Sequence, residues 1–109
     1  MRGSSRLFAV LVCLLGAPAL ASGQSSITGV VRDTSGAVLP GVTVEASSDV
    51  LIEKVRTAVT DSNGQYRIVD LRPGLYNVSF TLPGFSIYVR EGLNLPAEFT
   101  ATIDAELRV

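Results

Sequence analysis

Tyr76-Asn77-Val78-Ser79-Phe80-Thr81-Leu82 alternates apolar and polar residues without a break. An extended chain points successive side chains to opposite faces, so this stretch has one apolar and one wet face, as a half-buried β-strand does. The same period of two recurs on both sides of it. Val42, Val44 and Ala46 alternate with Thr43, Glu45 and Ser47, and Ala101, Ile103, Ala105 and Leu107 alternate with Thr102, Asp104, Glu106 and Arg108. Shorter pieces follow the rule at Ile27/Gly29/Val31, Val55/Thr57/Val59, Tyr66/Ile68 and Phe85/Ile87/Val89. The pattern predicts seven strands and no amphipathic helix. It places Val44, Tyr66, Ile68, Val78, Phe80, Ile103 and Leu107 in the core.

The punctuation between these runs is turn chemistry. Asp33-Thr34-Ser35-Gly36 and Asp61-Ser62-Asn63-Gly64 begin with a carboxylate that can accept backbone N–H bonds and end on a residue tolerant of positive φ. Pro40-Gly41, Pro73-Gly74 and Pro83-Gly84 pair a fixed φ with a flexible one. One-sided strands closed by short turns bury their apolar faces by packing two antiparallel sheets together. The expected fold is therefore all-β, a seven-stranded antiparallel sandwich of immunoglobulin-like type.

The first residues are read separately. Arg2 and Arg6 precede the apolar run Leu7–Leu15, and Ala17-Pro18-Ala19-Leu20-Ala21 supplies small residues. This is the pattern of a cleaved signal peptide over 1–21, with cut sites after Ala21 or Gly23, leaving residues 22–109 as the exported domain. The run is short for a bilayer span. Cys13 follows Val12 inside it, which is no lipidation site. Removal of Arg2 and Arg6 leaves seven of the nine basic residues against ten acidic ones. Such an acidic domain offers no patch for phosphates, so no nucleic-acid partner is expected.

Catalysis finds few instruments here. The chain has no His and no Trp, and its single Cys lies in the leader. Nucleophilic catalysis needs a base beside the nucleophile, and zinc sites draw on His or Cys, so neither an enzyme nor a metal site nor a cofactor is expected. Asp61–Gly64 has the opening of a calcium loop but continues as strand at Gln65-Tyr66-Arg67, without the later ligands and the closing Glu. Tyr88 is the aromatic whose parity points away from the apolar set, and Arg90 shares its face. An aromatic plane beside a guanidinium is the pair that could hold a sugar ring.

A family resemblance now becomes visible. Ser26-Ile27-Thr28-Gly29-Val30-Val31-Arg32-Asp33, Gly36-Ala37-Val38-Leu39-Pro40-Gly41-Val42, Thr60-Asp61-Ser62-Asn63-Gly64-Gln65-Tyr66 and Leu71-Arg72-Pro73-Gly74-Leu75-Tyr76 resemble, in order, the motifs of carboxypeptidase regulatory-like domains. Leu82-Pro83-Gly84-Phe85 completes the series. The resemblance implies a prealbumin-like sandwich, grouped with carbohydrate-binding-like folds, without peptidase chemistry. Leu51–Thr57 and Arg90-Glu91-Gly92-Leu93 are similar to the subgroup that precedes the plug and barrel of Oar-like TonB-dependent outer-membrane receptors. It implies an accessory domain exported to the periplasm or outer membrane of a Gram-negative bacterium, or secreted. It further implies neighbouring receptor domains or an envelope protein as partners. With no plug or barrel pattern in these residues, the domain stands as the N-terminal part of such a receptor. The competing expectation is a carbohydrate-binding module.

Overall fold

The computed structural model describes residues 24–109. The leader expected at 1–21, both cut sites and Cys13 lie outside the described residues. Eight strands follow: β1 (Ser25–Asp33), β2 (Thr43–Ser47), β3 (Val55–Val59), β4 (Gln65–Leu71), β5 (Gly74–Thr81), β6 (Tyr88–Leu95), β7 (Thr100–Thr102) and β8 (Ala105–Leu107). One sheet runs β4-β1-β7, with β8 also on β1, and the other runs β3-β2-β5-β6. The two inner faces enclose a core whose largest fully buried side chains include Tyr76, Phe80, Ile27, Ile68 and Leu71. All seven residues expected inside are buried. Tyr66 meets Phe80 edge-on across the sandwich, ring centres 5.7 Å apart at 75°, the geometry that the quadrupoles of two aromatic rings favour.

Two corrections to the sequence reading concern the last strand. It is two strands rather than one, giving eight instead of seven, and both run parallel to β1, so the fold is not wholly antiparallel. The offset is the same on both sides of the break, Ser26 facing Thr100 and Asp33 facing Leu107. The interruption has a local cause. The carbonyl of Ile103 turns inward over Gly29, where a Cβ would stand 2.0 Å from its oxygen. Only glycine fits there. The buried Tyr66 hydroxyl donates to that carbonyl at 2.5 Å. The Asp104 carboxylate accepts the Val30 N–H at 2.9 Å, in place of a ladder bond. The Val30 N–H and the Ile103 N–H and carbonyl thus keep partners at the break, as burial demands. The inward alternation of Ala101, Ile103, Ala105 and Leu107 survives it, with all four buried.

The turns are built as their residues dictate. Asp33 Oδ1 accepts the Ser35 and Ala37 N–H groups at 2.8 and 3.1 Å and the Ser35 hydroxyl at 2.6 Å. That hydroxyl, more than any other contact, holds the Asp33 carboxyl below its ordinary value. Asp61 Oδ1 accepts the Asn63 and Gln65 N–H groups at 2.9 and 3.0 Å. Gly64 closes that turn at φ +73°, against the Val31 carbonyl. The Asp61 carboxylate is engaged in shaping a turn, as the sequence predicts.

Two strands sit out of the expected frame, and both are edges of the four-stranded sheet. On β3, Val55 and Val59 face solvent, while Arg56 and Ala58 lie opposite the buried Ala46 and Val44. On β6, Tyr88 and Arg90 lie opposite the buried Phe80 and Val78, while Val89 is exposed. Directly opposed residues share a face, so Tyr88 and Arg90 belong to the inner face and not the outer one. The frame moved because the turn at Leu82–Phe85 and the two residues after it precede the strand, which begins only at Tyr88. A shift of one residue exchanges the faces.

Candidate functional site

The sandwich has two flanks, and each carries one inner-face arginine of the four-stranded sheet. On the β3/β4 flank Arg56 reaches across the gap between sheets. Its Nη1 donates to the Val69 carbonyl at 2.9 Å and its Nη2 to Glu53 Oε2 at 2.8 Å. Among the described residues Arg56–Glu53 is the only ion pair. The Glu53 carboxyl is held below its ordinary value, first by its own backbone N–H and then by Arg56. At Arg56 this flank is strapped across.

The β6/β8 flank is open. One backbone bond, Ser86 N–H to the Arg108 carbonyl at 2.7 Å, ties the approach to β6 to the end of β8. Tyr88 leans on Phe80, ring centres 5.7 Å apart at 35°, yet stays 37% exposed. Arg90 is exposed although it faces the same way as buried Val78. Beside Tyr88 lies an open groove of about 490 Å³ lined by Ser86, Ile87, Asp104, Glu106 and Arg108. A second groove of about 650 Å³ runs from Ala58, Val59 and Asp61 at the end of β3 past Gln65 and Arg67 of β4 to Thr28, Thr102 and Asp104.

The structure therefore places Tyr88 in a groove but leaves Arg90 outside its lining. The polar groups that Tyr88 meets are Asp104, Glu106 and Arg108. They lie 16 or more positions away in the chain, and nothing in the local alternation ties them to Tyr88. Two carboxylates and a guanidinium around an aromatic ring can accept and donate hydrogen bonds to a polar ligand, and the ring offers a face. No group of three His, Cys, Asp or Glu suited to a metal occurs among the described residues. The buried phenols serve the fold. Burial pushes the Tyr66 hydroxyl well above its ordinary value, with the Asp104 charge adding to it, and burial raises Tyr76 also. Both donate to carbonyls, Tyr76 to Arg72 at 2.6 Å.

Comparison with known proteins agrees with this architecture. The carboxypeptidase regulatory-like domain matches residues 26–108. The TonB-dependent transporter Oar of Myxococcus xanthus is 34% identical over 94 residues, covering 86% of this chain and 9% of the transporter. The chain thus spans under a tenth of that relative's length. Among solved structures, a type II cohesin–X-dockerin complex from Acetivibrio cellulolyticus superposes with a TM-score of 0.60 at 21% identity, over 76% of this chain and 56% of that one. A proposed carbohydrate-binding protein from Bacteroides uniformis gives 0.60 at 17% identity, over 76% and 40%. At these identities the two structures speak for the fold alone. The motifs, the register and the match over residues 26–108 together establish that this chain belongs to the carboxypeptidase regulatory-like domain family.

Proposed function

We propose that this chain is a non-catalytic interaction domain of the Gram-negative cell envelope, the N-terminal appendage of a TonB-dependent outer-membrane receptor. The observation that carries the reading is the match to Oar, which takes in 86% of this chain yet only 9% of the transporter. A whole domain attached to a much larger transporter works through its surface. The side chains support this. The carboxylates of Asp33, Asp61 and Asp104 hold backbone N–H groups, and the Tyr66 and Tyr76 hydroxyls cap carbonyls. Partners are then neighbouring receptor domains or another envelope protein. Fractionation of the producing cells tests the assignment: the chain is expected with the envelope, with a new N-terminus at Ser22 or Gln24. Recovery in the cytosol with Met1 retained would overturn it.

A second reading, a carbohydrate-binding module, is favoured by one feature, the groove that sets Tyr88 among Asp104, Glu106 and Arg108. Titrating oligosaccharides into isotope-labelled protein separates the two. Saturable amide shifts around Tyr88, lost in Tyr88→Ala, select the sugar module. Unchanged amides select the appendage.

A further inference from the structure

We propose that the free edge of β6 is a self-pairing surface through which two copies of this domain join into one continuous eight-stranded sheet, with the two-fold axis at Val89. β6 ends the order β3-β2-β5-β6, so among the described residues one side of its backbone has no partner strand. An unpaired edge invites another strand. Three apolar side chains cluster on it: Ile87 is 64% exposed, Val89 47% and Tyr88 37%. Of the inner-face residues, Arg90 is exposed, and Tyr88, although it shares a groove with Glu106 and Arg108, keeps 37% of its surface exposed.

The sequence of the edge is complementary to itself in one register. A two-fold axis normal to an antiparallel sheet can pass only through a residue pair of like parity, because opposed residues must share a face. With the axis at Val89, the two Val89 side chains meet on the outer face. Tyr88 then faces the second copy's Arg90 on the inner face, twice, so each guanidinium lies against an aromatic ring. Ile87 faces Glu91, and no like charges oppose. Moving the axis to Arg90 sets two guanidinium groups against each other. Moving it to Tyr88 leaves both arginines opposite Ser86. The β3 edge is the natural rival, but its inner-face Arg56 is already bound to Val69 and Glu53 within the chain.

The test uses the full chain in a Cys13→Ser background. Sedimentation should show a mass climbing towards twice that of the chain as concentration rises. Val89→Lys, which opposes two ammonium groups at the axis, should hold the mass at the monomer with the thermal midpoint unchanged. Thr57→Lys, at the equivalent place on β3, should leave association intact. Opposed residues stand within disulfide reach, so Val89→Cys should oxidise to a covalent dimer while Glu91→Cys, facing Ile87, does not. A chain that stays monomeric at every concentration overturns the proposal. So does association lost in Thr57→Lys but kept in Val89→Lys, or cross-linking at residue 91 in preference to 89.

Discussion

The two flanks of this sandwich begin with the same device and end differently. Each edge of the β3-β2-β5-β6 sheet points an arginine at the space between the sheets. On β3 the arginine finds the Val69 carbonyl and the Glu53 carboxylate and becomes a strap. On β6 Arg90 is exposed, one residue beyond Val89 from Tyr88 on the same face. A charge on an inner face thus has no fixed meaning: what stands across the gap decides whether it closes a flank or leaves a surface for a partner.

The largest effect strikes what both flanks share. Phe80 lies under Tyr66 on one side and Tyr88 on the other and is fully buried. Phe80→Ala should cost about 3–5 kcal/mol, a large part of a small domain's stability, read as a lower denaturation midpoint. An unchanged midpoint would mean that the flanks are held independently of the core. Next comes the break between β7 and β8. Tyr66→Phe leaves the Ile103 carbonyl buried without its donor and should cost about 1–3 kcal/mol by the same measurement. Gly29→Ala at the same place should fold poorly, since its methyl would meet the Ile103 oxygen.

The arginines give the comparison its direct test. Arg56→Ala should lower stability by about 1 kcal/mol through the lost carbonyl bond, whereas Arg90→Ala should change it by less than about 0.5 kcal/mol. Equal effects would erase the distinction between a strapped flank and an open one. The smallest expected effects are those of pH. Glu53 has a folded value below its unfolded one, so its contribution is present above the ordinary carboxyl range and is lost as pH falls through the folded value. Acid below the ordinary carboxyl range should loosen the β3/β4 flank, seen as faster hydrogen exchange at Arg56 than at Val89. Tyr66 and Tyr76 are raised, so their contribution holds below the ordinary phenol value and declines as pH climbs above it, an alkaline loss shared by the whole core.

Much of this was legible in the sequence. Central strands such as β5 sit between two neighbours and over a core, where an apolar residue on the wrong face is costly, so Val78 and Phe80 announce their own orientation. The turn carboxylates Asp33 and Asp61 were equally plain, because an Asx turn is a local contact. The candidate site was only half visible. Tyr88 could be singled out as an unusual aromatic, but its neighbours Asp104, Glu106 and Arg108 lie in β8 and immediately on either side of it, two elements later, and its face was assigned in the wrong frame.

The sequence by itself determined the all-β class, the composition of the core, the turns and the family, since each depends on short-range periodicity or on ordered motifs. Only the tertiary structure decided that the last strand runs parallel to β1 and splits over Gly29, that β3 and β6 present their valines to water, and which flank stays open. The physical reason is common to all three. A period of two offers two frames, and an edge strand, wet on both sides, pays little for either. The register with the neighbouring strand, fixed by backbone hydrogen bonds far along the chain, chooses between them.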